Sequence, residues 1–302
     1  MNKIKQIINQ YARNPYRYTI KNNVTIVDTD DGRFVFKPNK HQIDISNLYK
    51  YLESRNFTYF PKLIDSNQDY NVFSYVDEID TPNEQKTMDI IYLISLLHNK
   101  TTYYKEMDID EYKEIYENVI NQLDYLYNYY NDVITVIEKN VYMSPSEYLV
   151  ARNISKIFEA IYYCRREIEA WYNIIKDKTK KRLVTIHNNL ETDHLLRSND
   201  LYLLSWDKAK IDLPIYDLYV FYKKNALNYE FSELLRLYES KYPLLEEERK
   251  LLFILLAIPE KIEFNNSEYK NSKQIRRVID YVYKTEQLIK PYYSEQDVKQ
   301  TT

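Results

Sequence analysis

The chain has 302 residues, 44% of them hydrophobic and 29% charged, a size and balance that suit one large domain or two lobes around a substantial core. A net charge of -3 exerts no long-range pull on nucleic acid or anionic lipid, so such a partner would need a local basic patch. Lys180-Lys181-Arg182 and Arg276-Arg277 are the compact basic clusters, and each reads as a solvated helix end.

No apolar run approaches the ~20 residues of a membrane span. The stretch from Met1 to Asn14 lacks the apolar segment and small-residue cleavage site of a secretory signal. A cytoplasmic protein with no membrane or nucleic-acid partner is expected. The single cysteine, Cys164, excludes an internal disulfide and a multi-cysteine metal site, and its place between Ile161 and Ile168 on a helical pattern predicts a buried, inert thiol. Tyrosine occurs 34 times and glycine once, with many Asn, Ile and Lys, a bias toward A/T-rich codons that points to a low-GC bacterium. One glycine also leaves no glycine-built loop to cradle phosphates.

In chain order, residues 1 to 14 pattern as a short amphipathic helix with Ile4, Ile7, Ile8 and Tyr11 on one side. Strands are predicted at Tyr16 to Ile20, Val24 to Asp28 and Arg33 to Lys37, the last two joined by a Thr29-Asp30-Asp31-Gly32 turn in which Gly32 takes positive φ. A helix over Ile43 to Ser54 and two strands, Phe60 to Ile64 and Asn71 to Val76, complete a strand-rich lobe over residues 1–76. Residues 77–302 then read as helical. Apolar spacing predicts helices over Thr87 to His98 and Asp110 to Lys139, and Ser144-Pro145-Ser146-Glu147 opens another with a capping box and proline at its first position. The last two form a helical hairpin over about 108–178. Further helices are expected at Leu218 to Tyr222, Phe231 to Tyr242, Glu246 to Ala257 and Lys273 to Ile289, with Pro243, Pro259 and Pro291 near their boundaries and a disordered tail over 292–302.

Between hairpin and last helices, residues 183–217 place two short apolar strands around the polar loop His187 to His194. This order of parts, with the Asp-Asp-Gly hairpin before Phe34-Val35-Phe36-Lys37, the Phe60-Pro61-Lys62-Leu63-Ile64 strand, the hinge-like Phe73-Ser74-Tyr75-Val76, Leu96-Leu97-His98 closing a helix, and Asp212-Leu213-Pro214-Ile215-Tyr216-Asp217-Leu218, resembles the aminoglycoside phosphotransferase and choline kinase branch of the protein-kinase-like fold. Within that branch the chain is most similar to the spore-coat kinase-like proteins of low-GC Gram-positive bacteria. The resemblance implies an α+β, two-lobed fold with a five-stranded N-terminal lobe and a large helical C-terminal lobe carrying a helical insertion.

The resemblance also assigns roles by position. In phosphoryl transfer the protein positions groups and neutralises charge. The phosphate-holding strand lysine falls on Lys37, and the leading His of the catalytic loop on His187. The catalytic Asp position is Asn189, which takes no proton near neutral pH, and losing a positioned base costs typically 10²- to 10⁴-fold. The two magnesium positions are His194 and Ser205, poor replacements for a hard cation that seeks charged oxygen. Asp217, which braces the loop in the family, is retained with His187 as a structural position.

The resemblance with these losses implies a pseudokinase acting as a binding or assembly module, with a protein partner, no cofactor, and incorporation into a spore coat. The rival expectation is a small-molecule phosphotransferase that takes its ligand in the interlobe cleft and uses ATP with Mg²⁺ or Mn²⁺ at a rebuilt site of Asp207, His194, Glu191 and Asp193. Against it, Glu191 and Asp193 read as a solvated loop and Asp207 as pairing locally with Lys208 or Lys210. Asp77, Glu78 and Asp80 read as an exposed acidic loop, and Tyr129, off the buried face of its helix, as a partner-facing tyrosine.

Overall fold

A computed structural model describes residues 14–21, 24–39, 44–264 and 267–299, with the side chains of 293–299 excepted. The helix expected over residues 1 to 14 lies outside them, apart from its last residue. The elements run β1 (Arg17–Lys21), β2 (Val24–Thr29), β3 (Gly32–Pro38), α1 (Ile45–Ser54), β4 (Leu63–Ser66), β5 (Tyr70–Ser74) and α2 (Asn83–Thr101). There follow β6 (Tyr103–Glu106), α3 (Ile109–Glu138), α4 (Pro145–Ile175), β7 (Lys180–Ile186), β8 (Leu195–Arg197), β9 (Leu201–Leu203) and β10 (Lys210–Asp212). Four helices close the chain: α5 (Ile215–Asn225), α6 (Phe231–Lys241), α7 (Glu246–Ala257) and α8 (Glu268–Lys299).

The chain divides into two compact units, residues 1–102 with 184–212, and residues 103–183 with 213–302. Helix α2 and the loop segment thus group with the strands, so the first unit is larger than the lobe expected to end at residue 76. The reason is backbone pairing: Ile79 N–H donates to Arg197 O at 2.7 Å, and Leu203 N–H to Tyr59 O at 2.8 Å. An ion pair between Arg197 and Asp89 at 3.0 Å adds to this.

The first unit is built on a five-stranded antiparallel sheet ordered β1-β2-β3-β5-β4. The β2–β3 hairpin turns where the sequence placed it, with Gly32 at φ 125°, a conformation that a Cβ would strain. Val27, Phe36 and Val72, one from each of the three central strands, form a buried cluster with Phe34 against it. Pairing runs Phe36↔Val72 and Lys37↔Asn71, so the register that buries Phe36 turns the neighbouring Lys37 to the other face. Helix α1 starts at the Asp44 cap, whose carboxylate accepts from Asn47 N–H at 3.0 Å, and buries Ile45, Tyr49 and Leu52.

In the second unit α3 and α4 form the expected hairpin. Ser144 and Glu147 make the capping box in full, Ser144 N–H donating to Glu147 Oε2 at 2.7 Å and Glu147 N–H to Ser144 Oγ at 3.3 Å. Helix α4 packs on α7 and α8. Cys164 is buried there, and burial pushes its thiol up.

Three expectations are corrected. Lys180-Lys181-Arg182 starts strand β7 rather than ending a helix, and Lys181 and Arg182 pair with Glu111 and Glu248. Residues 292–299 are helical, because α8 carries on through Pro291 and the Tyr292 ring stacks edge-on against Phe253 at 5.1 Å. Tyr129 faces its own chain: its hydroxyl donates to Ile262 O and its ring lies 4.8 Å from the Lys261 ammonium. Strands β6 and β10 were not anticipated.

Candidate active-site-like centre

The loop from His187 to Asp207 lies within the first unit, held by backbone geometry that its residue types permit. Asn188 adopts a left-handed conformation at φ 56°, which Asn tolerates well. Ser205 does the same at φ 63°, ψ 49°, a strain of about 1 kcal/mol or more for a residue with a Cβ. The payoff in geometry is a reversal after β9 that sends Trp206 inward and Asp207 toward β3. Trp206 is buried among Tyr49, Phe57, Phe60 and His187, at ring separations of 6.4, 6.0, 6.2 and 4.7 Å. Its indole N–H donates to Leu203 O at 2.8 Å.

Each position that the resemblance singled out is engaged. His187 is fully buried and donates from Nε2 to Leu204 O at 2.8 Å. Asn189 Nδ2 donates to Ser205 O at 3.4 Å, and the Asn189 carbonyl accepts from His194 Nδ1 at 2.7 Å. That bond places the proton of a neutral His194 on Nδ1. Leu204 N–H donates to His194 O at 2.8 Å, closing the loop from the other side. Asn189, His194 and Ser205 are therefore brought together, by hydrogen bonds to one another's backbone.

Lys37 reaches the same place from β3. Its ammonium forms an ion pair with Asp207 and donates to Ser205 Oγ at 3.3 Å. The Lys37 and Asp207 side chains are 27% and 23% exposed, a half-buried pair. Asp207 thus bonds to a lysine 170 positions away, and Lys210 bonds to Asp212 at 2.6 Å. Burial first, and then the Asp207 carboxylate, push the buried Tyr49 phenol up. Tyr49 is a contributor the sequence reading missed, since an apolar-spaced tyrosine on a helix carries no sign of a carboxylate nearby.

Glu191 is half-buried and Asp193 is exposed in a short 3-10 turn over Thr192–His194. Among the described residues, no three of the His, Cys, Asp and Glu side chains converge on a cation site. A Mg²⁺–nucleotide complex fits this donor set poorly: Asn189, His194 and Ser205 supply no negative charge, and the Asp207 carboxylate is bonded to Lys37. Asp217 is completely buried in the first turn of α5, in the second unit. Of the acidic loop, Glu78 pairs with Lys86 at 2.5 Å, and the Asp77 side chain is 90% exposed. A groove of about 620 Å³ on the first unit is lined by Tyr49, Phe60, Lys62, Tyr75, Asp77 and Tyr202.

No protein-family model and no curated protein matches the sequence. Among solved structures the chain is similar to an aminoglycoside phosphotransferase from Alicyclobacillus acidocaldarius, at TM-score 0.69 and 9% identity over 96% of this chain and 95% of that one. It is also similar to a spectinomycin phosphotransferase in its AMP-bound complex, at TM-score 0.51 and 10% identity over 94% and 97%. At such identities the likeness is one of fold. The chain has the protein-kinase-like fold of these phosphotransferases, with the five-stranded sheet and helical C-terminal region expected from the sequence. Among the described residues, no helix is long and apolar enough to cross a membrane.

Proposed function

We propose that this is a pseudokinase, a kinase-fold protein that has lost phosphoryl transfer and acts as a binding or assembly module for a protein partner. The observation that carries the reading is the Lys37–Asp207 pair. The ammonium that would hold nucleotide phosphates is neutralised by a carboxylate of the same chain, beside three positions whose side chains bring no charge. A nucleotide would have to displace that carboxylate and then lack both a base and metal-holding acids. The incorporation into a spore coat and the low-GC bacterial source rest on the sequence resemblance alone, as does residence in the cytoplasm before assembly.

The experiment is reversion. Asn189→Asp, His194→Asn and Ser205→Asp are introduced together, and nucleotide binding is titrated in Mg²⁺ against the natural chain. Gain of Mg²⁺-dependent ATP binding by the triple variant alone supports lost chemistry on a retained frame. Equal binding by both proteins overturns the reading. One feature favours the alternative, a small-molecule phosphotransferase with a rebuilt site: Asp207 is an acid within reach of the strand lysine, and Mn²⁺ accepts the mixture of carboxylate and imidazole that Asp207 and His194 offer. Phosphate transfer by the natural chain in Mn²⁺ would establish it.

A further inference from the structure

The α3–α4 hairpin ends in a tip that nothing in the kinase-like reading uses. Lys139-Asn140-Val141-Tyr142-Met143 connects the two helices, and Val141 and Tyr142 are 89% and 90% exposed, close to the limit for any folded residue. The tip is nonetheless built. Asn140 Nδ2 donates to Glu147 at 2.8 Å, within the capping box that starts α4. Ser146 Oγ donates to Glu268 at 2.9 Å, which pins the first residue of α8 to the same place. Tyr269, also exposed, follows directly.

From that point α8 carries a row of cations. Lys270, Lys273, Arg276 and Arg277 are exposed, and among the described residues no ion pair or hydrogen bond engages their head groups. The contrast with the other basic cluster is direct, since Lys181 and Arg182 are both consumed in ion pairs. At 1.5 Å per residue the row spans about 10 Å of helix, starting beside the tip. Of the carboxylates by the tip, Glu147 and Glu268 already accept hydrogen bonds, while Glu138, which ends α3, is exposed beside Lys139.

We infer that the hairpin tip is a peripheral attachment site for an anionic lipid surface. The order of groups argues for it: apolar Val141 and Met143 with Tyr142 at the extremity, a second tyrosine at the next level, then cations receding from the tip. An anionic bilayer presents the complementary layers, apolar chains beneath an interface that favours aromatic rings, beneath negatively charged head groups that attract Lys and Arg. A protein partner is held instead by a broad patch whose centre is depleted of charge. Attachment of this kind lays the protein on the membrane without a spanning segment, and supplies the local basic patch that a chain of net charge -3 needs to meet such a surface. The inference stands independently of the pseudokinase reading, because it uses no residue of the loop or of β3.

The test is co-sedimentation of the full chain with vesicles of phosphatidylcholine alone, or of phosphatidylcholine mixed with phosphatidylglycerol. Two variants accompany it: Val141→Ser with Tyr142→Ser, and Lys273→Glu with Arg277→Glu. All four side chains are exposed, so unchanged thermal midpoints check that folding is intact. Binding to the mixed vesicles that weakens with salt, and falls at least about tenfold in each variant, is the expected result. No binding to mixed vesicles overturns the proposal. So does binding that the serine variant leaves unchanged while soluble polyglutamate competes fully, the behaviour of a surface for acidic protein.

Discussion

Replacing Asp207 by Asn removes the charge that neutralises Lys37 while keeping the side chain's size. The pair lies between two limits. Exposed ion pairs contribute about 0–1 kcal/mol, and breaking a fully buried one costs about 3–5 kcal/mol. With Lys37 and Asp207 about a quarter exposed and Ser205 Oγ as a second acceptor, a loss of about 2 kcal/mol is expected. Urea unfolding of the natural chain, Asp207→Asn, Lys37→Met and the double variant gives the coupling between the two groups, expected at about 1–2 kcal/mol. The released ammonium should also bind tripolyphosphate more tightly than in the natural chain. A coupling below about 0.5 kcal/mol would show that Asp207 does not hold Lys37 and that the ammonium is available to other ligands.

The other ion pairs make a graded set. Arg182 donates from Nε to Glu248 at 2.9 Å beneath the Tyr242 ring, both charged side chains being under 10% exposed, so Arg182→Ala should cost about 3–5 kcal/mol in unfolding free energy. Glu117→Gln, which neutralises one half of the exposed pair Lys113–Glu117 at 3.8 Å, should cost no more than about 1 kcal/mol. Similar losses in the two would contradict burial as the deciding factor. Alkaline pH should destabilise the chain through its tyrosines. Burial pushes the phenols of Tyr112, Tyr130, Tyr238 and Tyr281 up, and that of Tyr222 up to about 12. An unfolded phenol ionises near pH 10, so above about pH 10 the unfolded state has shed protons that the folded state retains. Stability is then lost as pH rises, by up to about 1.4 kcal/mol per pH unit for each phenol. A urea midpoint that stays level through this range, with phenolate absorbance rising in the folded protein, would show these rings to be accessible.

What could be read in the sequence was local. The Asp30-Asp31-Gly32 turn and the Ser144-to-Glu147 cap carry their signals within four residues, and both formed as expected. Strands β6 and β10, with four and three residues, have no alternation of their own and exist because β7 pairs with each. The same holds for the loop. The types of Asn189, His194 and Ser205 could be read from the sequence, but the pairing of Lys37 with Asp207 is set by the sheet register that aims Lys37, a tertiary fact. Tyr129 failed for a related reason: a position off one helical face meets another part of the chain, here the carbonyl of Ile262. The proline at 291 was read as a stop, yet flanking packing of Tyr292 on Phe253 carries the helix past it.

The thermal midpoint of the pure protein with and without ATP, each in Mg²⁺, in Mn²⁺ and in excess chelator, tests the central claim most directly. A ligand at 100 times its dissociation constant adds about 2.7 kcal/mol to native stability, a shift that is readily seen. A kinase fold whose phosphate lysine is held by Asp207 predicts an unchanged midpoint under every condition. A rise that needs the metal would contradict it and mark a working nucleotide site.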